Sequence, residues 1–220
     1  MTARSVSRTL AVLGLAALLA GPSARATLLP PGGTVSPSQD LTDPRTAPGE
    51  TFLASMTGTF TGQFNQINGT YYDAVYRSAG GTLDFFYQVT NSNSLGGASI
   101  FTTSHSSFVG FTTDVQWYRT TLTDNIAATA TRGPVGQTIV YDYQAAGGQT
   151  IDAGQQSSLE VIRTNATLFD TGLYGILGPD TVTVLAFEPT VATPEPSTIV
   201  SAVVGLLGLA GLIARRRRSA

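Results

Sequence analysis

A single histidine limits the acid–base chemistry that this sequence could perform. His105 lies among serines in the segment TTSHSSF, and Asp114 follows nine residues later. Serine, histidine and a carboxylate are the components of a hydrolase, so their presence alone leaves a Ser–His–Asp arrangement open. However, the G-x-S-x-G nucleophile elbow does not occur, and a lone histidine in a Ser/Thr-rich segment is usually exposed. We therefore expect no catalytic residues and predict that the protein is not an enzyme, with a secreted hydrolase using His105 as an alternative.

The metal-binding residue types give no recognisable site. The chain has no cysteine, which excludes thiol nucleophiles, Cys-ligated zinc and iron–sulfur clusters. Calcium prefers oxygen ligands, and six aspartates in or near predicted turns could supply them, but none has the spacing of an EF-hand loop. We interpret them as solvated turn residues and predict no metal and no cofactor. The six are Asp40, Asp43, Asp142, Asp152, Asp170 and Asp180.

Clustered aromatic residues leave a carbohydrate-binding module open as a second alternative. Aromatic rings can stack on sugar rings, although aromatics that alternate along a strand are more often part of a core. The clustered residues are Tyr71, Tyr72, Phe85, Phe86, Tyr87, Trp117 and Tyr118.

Residues 51–192 have the pattern of an antiparallel β-protein. Thr, Val, Ile, Tyr and Phe alternate with polar residues in short runs, and Gly-Gly or Gly-Pro pairs separate the runs. We expect seven to nine strands, no amphipathic helix, and an antiparallel β-sandwich or jelly-roll-like body. The predicted one-face sets are Leu83, Phe85, Tyr87 and Val89; Val115 and Trp117; Ile139, Tyr141 and Tyr143; Leu159 and Val161; Val182 and Val184. Residues 27–50 are rich in proline and glycine and predict an extended leader without a core of its own.

The charges are unevenly distributed along the chain. All twelve basic residues are arginine, and seven of them lie within the two terminal segments. Between residues 27 and 214 there are five arginines and all fourteen acidic residues, a net charge of −9. Such an acidic body is a poor partner for nucleic acid, which requires a basic surface.

The N-terminus has the three parts of a secretory signal peptide. Arg4 and Arg8 precede an apolar run at residues 10–20, and the small-residue site Ala24-Arg25-Ala26 follows. The run is too short to span a bilayer. We predict a signal peptide over residues 1–26, with cleavage between Ala26 and Thr27.

The C-terminus has the pattern of a single short transmembrane helix. Residues 199–214 are almost entirely apolar and would measure about 24 Å as a helix. Four arginines follow directly: Arg215, Arg216, Arg217 and Arg218. Arginine clusters of this kind stay in the cytoplasm, so the body is expected on the opposite side of the membrane.

The segment from residue 193 to residue 220 resembles the PEP-CTERM sorting signal of Gram-negative bacteria. It contains Pro194, Glu195, Pro196 and Ser197, followed by the apolar run and the terminal arginine cluster. The resemblance implies that an exosortase, a transpeptidase-like membrane enzyme of exopolysaccharide-producing systems, recognises the Pro-Glu-Pro element. It further implies that the apolar helix holds the substrate in the bilayer and that the arginines fix its orientation. The body segments TLDFFYQVTN and LEVIRTNATLF are similar to bodies that carry the same tail.

Together these features predict an exported, non-catalytic protein of the cell surface or extracellular matrix. Its expected partners are an exosortase-like enzyme, the bilayer and exopolysaccharide. A permanently membrane-anchored surface protein is a third alternative, because it requires the same helix and the same arginines.

Overall fold

The computed structural model describes residues 26–94, 97–146 and 148–191. Ala24 of the predicted cleavage site, the sorting motif that begins at Pro194 and the Arg215–Arg218 cluster lie outside the described residues. So does the apolar run at residues 199–214. Within the described part of the chain, no helix has the length and apolar character needed to cross a bilayer.

β-Strands are the main secondary structure of the described residues, whose one helical element is a 3₁₀ turn at Pro44–Thr46. The strands are β1 (Thr27–Leu28), β2 (Thr34–Val35), β3 (Ser38–Gln39), β4 (Thr51–Thr61), β5 (Asn68–Arg77), β6 (Leu83–Asn91), β7 (Thr102–His105), β8 (Thr113–Tyr118), β9 (Thr129–Arg132), β10 (Ile139–Asp142), β11 (Leu159–Thr164), β12 (Leu168–Leu177) and β13 (Thr181–Thr190).

Two sheets enclose one core. The first sheet has the order β1-β8-β11-β6-β5-β4, with β3 also paired to β8, and the second has the order β13-β12-β7-β10-β9-β2. All strand pairs are antiparallel except that of β3 with β8. The prediction of a mainly β body with antiparallel sheets is confirmed. Ten strands lie within residues 51–191, more than the seven to nine expected, because strands such as β9 contain no large apolar residues that would mark them.

The core contains most of the residues that the period-two pattern assigned to common faces. Leu83, Phe85, Tyr87 and Val89 of β6 face inward together, as predicted. The residues from the opposite sheet include Ile139 and Tyr141 of β10, with Tyr143 directly after it. Side chains of the two inner faces therefore interlock, as expected for stacked sheets about 10 Å apart.

Strand β11 differs from a half-buried strand because both of its faces are covered. Leu159 and Val161 share a face as predicted, but they pack with Phe86 in a second cluster outside the first sheet. Glu160 and Ile162 point into the main core instead. A period of two identifies which residues share a face, and it does not identify the face that meets the core.

The leader is part of both sheets. β1 pairs with the first half of β8, β2 pairs with β9 of the second sheet, and β3 returns to the second half of β8. Leu29 is fully buried in the main core. The following 3₁₀ turn places Arg45 over the ring of Tyr72, which belongs to the outer cluster. Residues 27–50 thus lie along one side of the sandwich and against the outer face of the first sheet.

A buried guanidinium joins the leader to the core. Arg132 of β9 is only 2% exposed, and each of its five N–H donors meets an acceptor. The acceptors are the carbonyl oxygens of Leu29, Phe108, Phe111 and Gly136 and the hydroxyl oxygen of Thr113, at 2.6–3.2 Å. Burial lowers the pKa of the Arg132 side chain. One side chain therefore fixes the leader, the loop after β7 and the β9–β10 turn.

Replacing this guanidinium is expected to destabilise the fold strongly. The substitution Arg132→Met leaves buried carbonyl oxygens without donors. Each such group that water cannot reach destabilises the folded state by about 1–3 kcal/mol. We expect a loss of about 3 kcal/mol or more in the free energy of unfolding, measured by urea denaturation. Arg77→Met is the matched control, because Arg77 bonds the carbonyl oxygen of Gly81 in a part-buried position. An equal loss for both variants would contradict this role of Arg132.

Candidate functional site

The only histidine is part of a polar cluster between the two sheets. His105 ends β7 and Glu160 lies in β11 of the opposite sheet, and both side chains are 1% exposed. The Nε2 atom of His105 lies 2.7 Å from Oε2 of Glu160. The second oxygen, Oε1, accepts hydrogen bonds of 2.5 Å from the hydroxyls of Thr103 and Tyr143. Nδ1 of His105 is buried and has no partner among the described residues.

Tyrosine rings surround the imidazole. The ring of Tyr174 stacks on it at a centroid distance of 4.8 Å, Tyr87 lies at 4.0 Å, and Tyr141 meets it edge-on at 5.8 Å. Burial, reinforced by the negative charge of Glu160, holds the pKa of the Tyr141 and Tyr143 hydroxyls well above the ordinary range. These rings separate His105 and Glu160 from solvent, so in this conformation the cluster does not present a base to a dissolved substrate.

The carboxylate considered for a Ser–His–Asp arrangement lies elsewhere. Asp114 is on β8 and lines a cleft outside the first sheet, together with Glu50, Asp84 and Arg163. Nε of Arg163 lies 3.4 Å from Oδ2 of Asp84. Burial raises the pKa of Asp84 to about 7, although the charge of Arg163 opposes the shift. The partner of His105 is Glu160, so the alternative with Asp114 does not correspond to the observed geometry.

The six aspartates considered for calcium have separate local roles. Asp43 pairs with Arg45 at 2.6 Å, and Asp142 accepts the backbone N–H groups of Gln144 and Ala145. No group of three or more His, Cys, Asp or Glu residues in the described ranges could hold a metal ion.

Asp180 has a clear structural function in the turn between β12 and β13. It accepts the backbone N–H of Phe64 at 2.8 Å and that of Thr181 at 2.8 Å. Burial raises its pKa, but these backbone donors outweigh that effect and hold the pKa below the ordinary value. The side chain thereby attaches the β4–β5 loop to the second sheet.

Most of the aromatic residues considered for sugar stacking are buried or packed against other side chains. Phe85, Phe86 and Tyr87 are buried, and Tyr71 packs against the main core. Tyr72 and Tyr118 pack against the outer cluster. The side chain of Arg119 lies over the ring of Trp117 at 5.6 Å.

A buried carboxyl group that the sequence did not reveal stabilises an edge strand. Asp73 of β5 is fully buried, and its Oδ2 accepts the backbone N–H of Phe187 in β13 at 2.5 Å. The hydroxyl of Tyr87 donates to the carbonyl oxygen of Phe187 at 2.7 Å. Burial raises the pKa of Asp73 to about 8, because the backbone donors compensate only part of the desolvation. Two side chains of the first sheet thus bond the backbone N–H and C=O groups of Phe187 at the free edge of the second sheet.

No protein-family model, curated protein or solved structure matches the chain.

The polar cluster predicts strong energetic coupling between its members. Glu160→Leu leaves three buried donors without their acceptor and is expected to cost about 3 kcal/mol or more in the free energy of unfolding. His105→Leu is also destabilising, but the double variant should lose at least about 1 kcal/mol less than the sum of both changes. Urea denaturation of the four proteins measures this coupling. Additive losses would show that the two side chains do not interact in this way.

The buried carboxyl groups predict that stability falls as pH rises. A raised folded-state pKa means that the folded protein binds more protons than the unfolded chain, from about pH 4 up to the folded value. The stabilising effect is complete below about pH 4 and is lost through pH 7 for Asp84 and pH 8 for Asp73.

Asp73→Asn tests this effect because it keeps an acceptor for the N–H of Phe187 and removes the titrating group. The unsubstituted protein is expected to lose unfolding free energy between pH 5 and pH 9. In the Asp73→Asn variant this loss should be smaller by more than about 1 kcal/mol. The exposed Asp170→Asn is the control. If Asp73→Asn leaves the pH profile unchanged, the folded carboxyl group has no raised pKa.

Proposed function

We propose that this protein is an exported, non-catalytic component of the cell surface or extracellular matrix that an exosortase-type enzyme sorts through its C-terminal tail. The observation that carries the proposal is the order of three sequence elements: Pro194-Glu195-Pro196, the apolar run at residues 199–214, and Arg215–Arg218 at the end of the chain. The predicted signal peptide at residues 1–26 supports the same direction of export.

The position of the motif relative to the fold supports this role. β13 ends at Thr190, and Pro194 is the fourth residue after it. Proline has no backbone N–H and restricts the preceding residue to extended conformations. A proline-flanked segment a few residues after β13 therefore favours an extended chain, which a protease-like cleft can bind. In this arrangement Glu195 supplies the charged member of the recognition element.

The composition of the body fits a location outside the cytoplasm. It carries a net charge of −9 over residues 27–214 and has no basic excess that would favour nucleic acid. It contains no cysteine, so its stability does not depend on the redox state of the compartment. The only histidine is enclosed between the sheets, which supports a role other than hydrolysis.

Intact-mass spectrometry of the protein from membrane and extracellular fractions of its host tests the proposal. We expect a released species that begins at Thr27 and ends near the Pro194–Pro196 segment. Changing Glu195→Ala together with Pro196→Ala should retain the full tail in the membrane fraction. Thr193→Val is the matched control, because the similar sorting signals often carry valine there, and it should be processed normally.

Two results would contradict the proposal. An intact tail found only in the membrane of a host with an active exosortase would indicate a permanent anchor, which is the alternative with the same topology. Normal processing of the Glu195/Pro196 variant would remove the motif from the recognition step.

A further inference from the structure

The loops at one end of the sandwich contain no charged residue. The antiparallel registers bring the ends of β5, β7, β9 and β11 and the starts of β6, β8, β10 and β12 to this end. The loops that join them are residues 78–82, 106–112, 133–138 and 165–167. The loops at the opposite end differ, because they contain Arg119, Asp124, Asp152 and Asp180.

Two turns at the uncharged end each expose a valine. Val109 lies in a turn at residues 108–111, which a backbone hydrogen bond of 3.3 Å closes. Val135 lies in a turn at residues 133–136, closed by a backbone hydrogen bond of 2.8 Å. The two valines are 54% and 67% exposed. Such turns usually carry Gly, Pro, Asn, Asp or Ser, so two valines at these positions suggest a contact other than water.

The buried guanidinium of Arg132 holds these two turns together. It donates to the carbonyl oxygens of Phe108 and Phe111 in the first turn and of Gly136 in the second. The backbone N–H of Phe108 also donates to the carbonyl oxygen of Gln137 at 3.1 Å. Because the turns are already fixed relative to each other, little conformational entropy is lost when their valines contact a surface.

The described chain leaves the body at the same end. Leu168, the first residue of β12, lies opposite Thr190, the last residue of β13, and Val191 follows. Leu168 is 44% exposed and Val191 is 65% exposed. The β11–β12 loop contacts the β7–β8 loop through a 2.9 Å hydrogen bond from the backbone N–H of Thr112 to Oδ1 of Asn165. Four exposed apolar side chains therefore lie at the end from which the C-terminal tail departs.

The chain between the body and the apolar run is too short to let the other end of the body reach a membrane. Eight residue-to-residue steps separate residue 191 from residue 199, and they span at most about 26–29 Å when fully extended. β13 has ten residues, and a strand of that length measures about 33 Å. If the apolar run lies in the bilayer, only the uncharged end of the sandwich can meet the membrane end-on.

The charges determine which kind of surface this end fits. The net charge of −9 over residues 27–214 opposes contact with an anionic membrane and with a second copy of the chain. Uncharged loops can approach zwitterionic headgroups without the desolvation of a charged side chain. Few apolar side chains are then sufficient, because the short tether keeps the effective concentration of the bilayer high.

We propose that this end of the sandwich, defined by Val109, Val135, Leu168 and Val191, docks on the zwitterionic lipid surface of the membrane that holds the C-terminal run. The proposal deepens the proposed function, because it makes the bilayer a partner of the body as well as of the tail. It rests on that function only for the insertion of the apolar run. Docking would restrict the segment at residues 194–196 to the membrane surface, where an integral membrane enzyme acts.

Fluorescence quenching tests this inference on the tail-bearing protein, purified from host membranes and reconstituted in phosphatidylcholine vesicles. Because the chain has no cysteine, Val135→Cys supplies a single attachment site for an NBD fluorophore. Leu122→Cys is the matched control, because Leu122 is 92% exposed in a loop at the opposite end. We expect doxyl-labelled phosphatidylcholine to quench the fluorophore at least threefold more strongly at position 135 than at position 122.

Substitutions at the two ends separate lipid contact from other causes. Val109→Asp/Leu168→Asp should lower doxyl quenching at position 135 to the level found at position 122. Phe64→Asp should leave the quenching unchanged, because Phe64 is exposed at the opposite end. Thermal unfolding of each variant checks that it folds. If the double aspartate variant is unstable, Val109→Ser is the milder change and should reduce the quenching at least twofold.

Four results would overturn the docking proposal. Equal quenching at both positions, in protein that floats with the vesicles, would overturn it and leave the inserted tail intact. Undiminished quenching in a folded Val109/Leu168 variant would also overturn it, as would quenching that appears only with anionic phosphatidylglycerol. Protection of position 135 from aqueous acrylamide without doxyl quenching would indicate a contact with a second copy instead. Protein that does not float with the vesicles would contradict the inserted tail itself, and with it both proposals.

Discussion

A carboxyl group buried between two sheets is the constraint on which the rest of the body depends. Glu160 points from β11 into the core, where an unpaired charge would be prohibitively costly. Thr103 and His105 of β7 and Tyr143 after β10 all direct polar atoms to its two oxygens. These contacts require β7, β10 and β11 to keep their registers within the two sheets, because a slip of one residue would turn a strand's polar side chain to the other face of its sheet. The stacked tyrosines then complete the enclosure. Polar pairing thus supports the specificity of the sandwich, and hydrophobic burial supplies most of its driving force.

Buried polar side chains also join separate segments at the margins of the fold, where a cysteine-free chain has no disulfide to do so. Arg132 bonds four backbone carbonyls from three different regions, and Asp73 bonds the outward edge of β13. Asp180 holds the β4–β5 loop in the same manner. In each case a polar side chain bonds backbone groups that would otherwise be left without partners. Edge strands and loops are thereby held without additional strands.

The parts of the structure that local patterning determines were predictable, and those that depend on distant pairing were not. The inward set from Leu83 to Val89 follows directly from alternation. The inward orientation of Glu160 does not, since β11 is covered on both sides and a period of two cannot distinguish them. The two-residue strands of the leader exist only through their partners in β8 and β9. The row formed by Thr59, Thr70 and Thr90 requires the register of three strands, and its members are far apart in sequence. The proposed sorting signal is the converse case, because it is identified from a linear order of residues alone.

The body is held closed by buried polar contacts, and the proposed sorting signal lies in the tail that follows it. In the body the only histidine belongs to the core and is not a solvent-facing base. Carbethoxylation with diethyl pyrocarbonate tests this claim directly, because any modified histidine in this chain must be His105. Monitored by peptide mass spectrometry, the native protein should remain unmodified at His105 and should react only in urea, as unfolding proceeds. Rapid modification of the folded protein would contradict the account and would make His105 a candidate catalytic residue.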